Sequence, residues 1–207
     1  MSLGRQITVA QALTGVFVNE MLRFLTTLLI SALIFVPVRA LGSDVSAIFS
    51  RGTREYGFAV GYGENHRIPH SMQVRFGVDT FRLRYGRYRS PKTQFAYEIC
   101  AGKQTKDMQS TMVSGMVTCR YYFARHGLTS LAVEGGVGFA ILGDEVPGLA
   151  TTTNFAETVG VSIQRATGPA SALTLDYRFC HISNAGLKLP NIGVNASILS
   201  VGYSWYK

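Results

Sequence analysis

At 207 residues, with no linker or shift in composition to divide it, the chain suits one domain behind an N-terminal segment. It is 47% apolar and 15% charged, yet beyond that segment no apolar run approaches the ~18 residues of a spanning helix, which argues against a helical membrane protein. The net charge of +8 does not indicate a nucleic-acid partner, because basic residues such as Arg82, Arg84, Arg87 and Arg89 are dispersed and no nucleic-acid fold signature accompanies them. A basic surface has a simpler use in attracting phosphorylated lipid headgroups, with a solvated basic rim as the plainer reading.

In chain order, Met21-Leu22-Arg23 opens a positively charged region and Leu25 to Val36 forms an apolar core of secretory length. Val38-Arg39-Ala40, or alternatively Ala40-Leu41-Gly42, then offers the small residues a signal peptidase reads. Residues 1–20 read as an extension of the charged region or as lying upstream of the true start. Residues 1–42 together are expected to be a cleaved extension and signal segment, the alternative being a retained anchor helix, and 43–207 the mature domain.

That domain supplies candidate strands near 54–63, 71–86, 93–103, 110–124, 129–142, 153–165, 171–183 and 194–206. Short alternating segments rich in Gly, Tyr and Phe, even in number and divided by polar loops, predict an all-β fold. The expected form is an eight-stranded antiparallel transmembrane β-barrel of the bacterial outer membrane; a soluble β-sandwich is the alternative. A barrel this narrow is filled by its own side chains, so a pore is not expected. Within 129–142, Leu131, Val133, Val137, Phe139 and Ile141 make the apolar outer face, while Ala132, Glu134, Gly136, Gly138 and Ala140 point inward. In 153–165, Glu157 shares the parity of Phe155, Val159, Val161 and Ile163. A carboxylate on a lipid-facing row is costly away from the interface, so Glu157 marks either a strand end near headgroups or a functional acid.

Three cysteines, Cys100, Cys119 and Cys180, cannot all pair within one chain. Cys100 and Cys119 stand on neighbouring strands, where an oxidising periplasm would permit a bridge, but small buried thiols are the favoured reading. Cys180 adjoins His181, yet its parity directs it into the barrel. His66, His70 and His126 lie in or near loops without ligand spacing, so no metal is indicated. No cofactor is implied, and the sequence leaves a homodimer open.

The chemistry concentrates in Phe179-Cys180-His181-Ile182-Ser183-Asn184-Ala185-Gly186-Leu187-Lys188-Leu189-Pro190-Asn191-Ile192-Gly193-Val194-Asn195. Leu173, Leu175, Tyr177 and Phe179 occupy one face of the preceding strand, which His181 and Ser183 continue. Leu199, Val201, Tyr203 and Trp205 occupy one face of the last strand, which Asn195 and Ser197 share. Folding the two as a hairpin brings Asn195 opposite His181. A nucleophile, a base and an orienting group then gather on the outer face beside the loop. The Asn184-Ala185-Gly186 turn could offer backbone N–H groups and the Asn184 amide to an oxyanion, while Asn191 and Gly193 shape the loop.

The run His181-x-Ser183-Asn184-Ala185-Gly186-Leu187-Lys188-x-Pro190-Asn191-x-Gly193 resembles the active-site signature of the outer-membrane lipid A 3-O-deacylases. The segments Leu131 to Gly138 and Asn154 to Glu157 also resemble that family. The resemblance implies a barrel esterase with Ser183 as nucleophile and His181 as general base. It also implies lipopolysaccharide, through its lipid A, as substrate, and the outer membrane as location. The family's triad is completed by a Glu in the last strand, a position held here by Asn195, with Glu157 as the candidate substitute acid. An even-stranded barrel with a periplasmic N-terminus would set the 184–192 loop outside the cell. The rival readings are a catalytically silent barrel that binds lipid or a surface partner, and a barrel acting as a phospholipase or palmitoyl transferase.

Overall fold

Side chains that alternate between apolar and small or polar can satisfy two environments only when the backbone is extended, and the chain does this eight times. The structure is a computed structural model that describes residues 48–67, 73–106, 110–144 and 146–207. The extension and signal segment expected at 1–42, and His70, lie outside the described residues.

The strands are β1 (Arg54–Asn65), β2 (Phe76–Ser90), β3 (Thr93–Lys106), β4 (Thr111–His126), β5 (Thr129–Leu142), β6 (Thr153–Gly168), β7 (Ser171–Ser183) and β8 (Val194–Tyr206). Each pairs antiparallel with the next, and β1 pairs with β8, so the sheet closes into a barrel and leaves no edge among these strands. The bounds of β5, β7 and β8 coincide with the sequence reading. β2 differs: it begins at Phe76 and runs to Ser90, since Arg87 and Arg89 keep the outward parity up to the Pro91-Lys92 turn.

The two ends of the barrel are unlike. Pro91-Lys92, Gly127-Leu128 and Pro169-Ala170 make two-residue turns at the end where β1 starts and β8 finishes. Of the described residues, 66–67, 73–75, 110, 143–144, 146–152 and 184–193 belong to the connections at the other end. Outward-facing Phe58, Phe81, Leu83, Ile99, Val117, Val137 and Val161 are all exposed, forming a belt that only an apolar surrounding would satisfy. Tyr56 and Trp205 stack at 6.2 Å near the short-turn end of that belt.

The interior is filled in three layers. Phe49, Tyr88, Tyr122 and Tyr206 close the short-turn end. Phe76, Leu142, Val146, Leu149, Ile182 and Val194 close the long-loop end. Between them Arg82, Arg84, Arg120 and Arg178 face Glu55, Glu98, Glu134 and Asp176, four cations against four anions. Arg178 grips Glu98 through two bonds of 2.6 and 3.0 Å, and Arg120 Nε donates to Glu134 at 3.0 Å. Paired charges are tolerated in such a core, whereas a lone one would not be.

Arg82 and Arg84 are therefore core cations and not part of a headgroup-facing rim. With Phe81, Leu83 and Tyr85 outside, the pleat turns both arginines inward. The cysteines are all free. Cys100 and Cys180 line an interior cavity of about 70 Å³. Cys119, opposite the outward Phe95, lies on the other face, and this opposed parity forbids a Cys100–Cys119 bridge.

Candidate active site

The register of β6, β7 and β8 assembles the site. His181 stands opposite Asn195 on β8 and opposite Glu157 on β6. Ser183, the last residue of β7, stands opposite Phe155. All four polar side chains have outward parity, as expected from alternation, and Glu157 is exposed while His181 and Ser183 are half-buried. Asn195 is only 9% exposed.

His181 Nδ1–H donates to Asn195 Oδ1 at 2.8 Å. Because an amide oxygen only accepts, this bond fixes the proton on Nδ1 and leaves Nε2 as the basic nitrogen. Gly193, with φ +65°, leaves room for the ring: a Cβ there would lie 2.9 Å from His181 Cε1. On the other flank, directly cross-strand neighbours have Cβ atoms ~5 Å apart, so the Glu157 carboxylate is within reach of the imidazole. The register thus makes His181, and not Phe179, the β7 neighbour of Glu157.

The turn after Ser183 is built differently from the expectation. Asn184 is 1% exposed and its groups are occupied within the loop. Its N–H donates to Asn191 Oδ1 at 3.0 Å, its Nδ2 to the Lys188 carbonyl at 2.7 Å, and its Oδ1 accepts from the Gly186 N–H at 3.0 Å. In this arrangement the Asn184 and Gly186 N–H groups and one hydrogen of Asn184 Nδ2 hold the loop together. Asn191 belongs to the same clamp through its Oδ1. Among the described residues the Ala185 N–H has no acceptor. Ala185 and Gly186 both adopt the left-handed region, at φ +54° and +78°. A non-glycine residue there costs about 1–2 kcal/mol, a strain that the Asn184 bonds sustain.

The sequence reading missed a neighbouring polar cluster. His66 Nε2 and Ser197 Oγ are 2.7 Å apart, and Tyr177 Oη lies 2.7 Å from the same Oγ. The His66 N–H donates to the Asn195 carbonyl at 2.7 Å, which ties the chain after β1 to the strand carrying Asn195. Ser197 had been placed on the correct face, but its partner is 131 positions away and meets it only through barrel closure. Among the described residues no group of three or more His, Cys, Asp or Glu side chains is disposed to hold a metal ion.

Eight strands, an apolar outer belt, and unequal loop ends define an outer-membrane type of β-barrel, here with a serine and a histidine displayed on its outer face. Solved structures agree on the fold. Neisserial surface protein A aligns with a TM-score of 0.61 at 16% identity, over 75% of this chain and 99% of its own. The outer-membrane enzyme PagL aligns with a TM-score of 0.52 at 20% identity, over 72% and 97%. The attachment invasion locus protein Ail of Yersinia pestis, in complex with the heparin analogue sucrose octasulfate, aligns at 0.50 with 11% identity, over 76% and 99%. No curated protein sequence matches the chain significantly. The family model of the lipid A 3-O-deacylases (PagL) matches residues 70–204, and the chain belongs to that family.

Proposed function

We propose that the protein deacylates lipid A at its 3-position in the outer leaflet of the bacterial outer membrane, with Ser183 as nucleophile and His181 as base. The observation that carries this reading is the 2.8 Å bond from His181 Nδ1–H to Asn195 Oδ1, which leaves Nε2 as the basic nitrogen. No hydrogen bond joins Ser183 to His181 in this structure. In this reading the serine and the imidazole come within hydrogen-bond reach when substrate is engaged, as catalytic contacts commonly tighten then.

Ser183 Oγ attacks the ester carbonyl while its proton passes to His181 Nε2. The resulting oxyanion collapses, the C–O bond to the sugar breaks, and His181 returns the proton to the departing sugar hydroxyl. Water, deprotonated by the same nitrogen, then releases the fatty acid from Ser183. Asn195 orients the ring in both halves but brings no charge to the imidazolium, which leaves Glu157 as the carboxylate beside it. In this reading residues 1–42 are removed on export, and the long-loop end faces the cell exterior, so that the site meets lipopolysaccharide and no nucleic acid.

The test is mass spectrometry of lipid A from cells producing the chain. The parent should release the 3-linked hydroxyacyl chain, and Ser183→Ala and His181→Ala should each abolish release while the barrel still assembles. Full hydrolysis by Ser183→Ala would overturn the nucleophile. A parent chain that releases nothing would favour the silent barrel, the reading that the uncharged Asn195 supports.

A further inference from the structure

Beyond Ser183 the chain displays an unusual sequence in an unusual place. Leu187 and Leu189 are 79% and 80% exposed and flank Lys188, which is also exposed. Here the backbone that carries them is held from several sides: Leu187 N–H donates to the Asn184 carbonyl at 3.1 Å, and the Lys188 carbonyl accepts from Asn184 Nδ2 at 2.7 Å. The 143–152 connection braces the same loop. Ala150 N–H donates to the Pro190 carbonyl at 3.1 Å, Ile192 N–H donates to the Gly148 carbonyl at 2.9 Å, and Leu149 bridges Asn191. The two leucines are thus presented at a set position relative to Ser183.

Two further observations say what they meet. First, the apolar outer face reaches the nucleophile by way of β5: Phe155 lies opposite Ser183, and Phe155 and Phe139 rings approach at 5.2 Å, both exposed. Second, the only charge in the stretch 184–193 is the ammonium of Lys188. A surface that is apolar below, with one cation between two leucines above, is complementary to an anionic lipid with several acyl chains and a phosphate on its headgroup.

We infer that Leu187, Lys188 and Leu189, with the Phe139–Phe155 pair, form a recognition surface for a phosphorylated, multiply acylated lipid: Lys188 takes a headgroup phosphate while the leucines and phenylalanines hold acyl chains around Ser183. The surface selects which ester is set before the nucleophile and makes no bond to the reacting atoms. This inference rests on the lipid A reading above and supplies its means of substrate selection. An ammonium–phosphate contact is charge-assisted and specific to the phosphate, whereas the apolar contacts are indifferent to it.

The experiment measures binding, so that it is independent of turnover. The barrel carrying Ser183→Ala, in detergent micelles, is titrated with fluorescently labelled bisphosphorylated lipid A and with the same lipid after enzymatic removal of both phosphates. Adding Lys188→Glu should weaken binding of the phosphorylated lipid by about tenfold and leave the dephosphorylated lipid within about twofold. Adding Leu187→Asn with Leu189→Asn should weaken both by about tenfold. Because these side chains are exposed, the variants should keep the compact mobility of the folded barrel on unboiled gels. Equal effects of Lys188→Glu on the two lipids, or unaltered binding by the double leucine variant, would overturn the inference. A parent chain that binds the phosphorylated lipid tightly yet never hydrolyses it would overturn the deacylase reading and leave this surface standing.

Discussion

Replacing the amide of Asn195 by a carboxylate is the most informative perturbation of the site. Asn195→Asp is isosteric, so the 2.8 Å contact with His181 Nδ1 is retained while a charge is introduced beside the ring. When His181 accepts the Ser183 proton it becomes a cation, and two unit charges ~4 Å apart at an effective dielectric of ~20 attract by about 4 kcal/mol. Asn195 is 9% exposed, so a carboxylate there loses hydration, and roughly half of that attraction is expected to survive. The remaining ~2 kcal/mol corresponds to a rise in kcat of about thirtyfold. Asn195→Glu restores the residue type expected from the family resemblance but adds a methylene, and should show a smaller gain of several-fold. The assay is the initial rate of hydroxyacyl release from purified lipid A by refolded protein at saturating substrate. A kcat for Asn195→Asp within about twofold of the parent would refute the argument, since the imidazolium would then already have its counter-charge.

Glu157→Gln tests the obvious source of such a counter-charge. If Glu157 supplies it from across the β6–β7 pair, this change should lower kcat by about tenfold or more and Asn195→Asp should restore it; an unchanged rate assigns Glu157 to the membrane interface. Gly193→Ala should lower activity by about tenfold or more, because its Cβ would stand 2.9 Å from His181 Cε1 at a backbone angle of +65°, while barrel mobility on unboiled gels stays normal. Arg178→Met should destabilise the barrel by about 3–5 kcal/mol in urea titrations from lipid vesicles, since Glu98, Glu134 and Asp176 would all lose a partner.

Alternation of side chains was sufficient to locate the strands and their faces, because the pleat sends neighbouring residues to opposite sides whatever the tertiary context. It therefore placed His181, Ser183 and Asn195 on one outer face, and Glu134 and Cys180 inside, before any coordinates. The roles came only as what the family resemblance implies. What alternation cannot supply is register, which depends on turn geometry and on how the whole sheet closes. Only the assembled barrel sets Glu157 opposite His181 and not opposite Phe179. The contacts of polar groups in the loop were equally hidden: Asn184 clamps the loop, because its hydrogen-bond partners Lys188 and Asn191 approach only once the turn has formed. Likewise, the dispersed arginines of β2 read as a basic surface until the inward pleat brings Arg82 and Arg84 against Glu55, Glu98 and Asp176 from three other strands. Local pattern determined which side of the sheet each residue occupies, and closure decided which residues meet, since contacts between residues distant in sequence arise from the pairing of strands around the barrel.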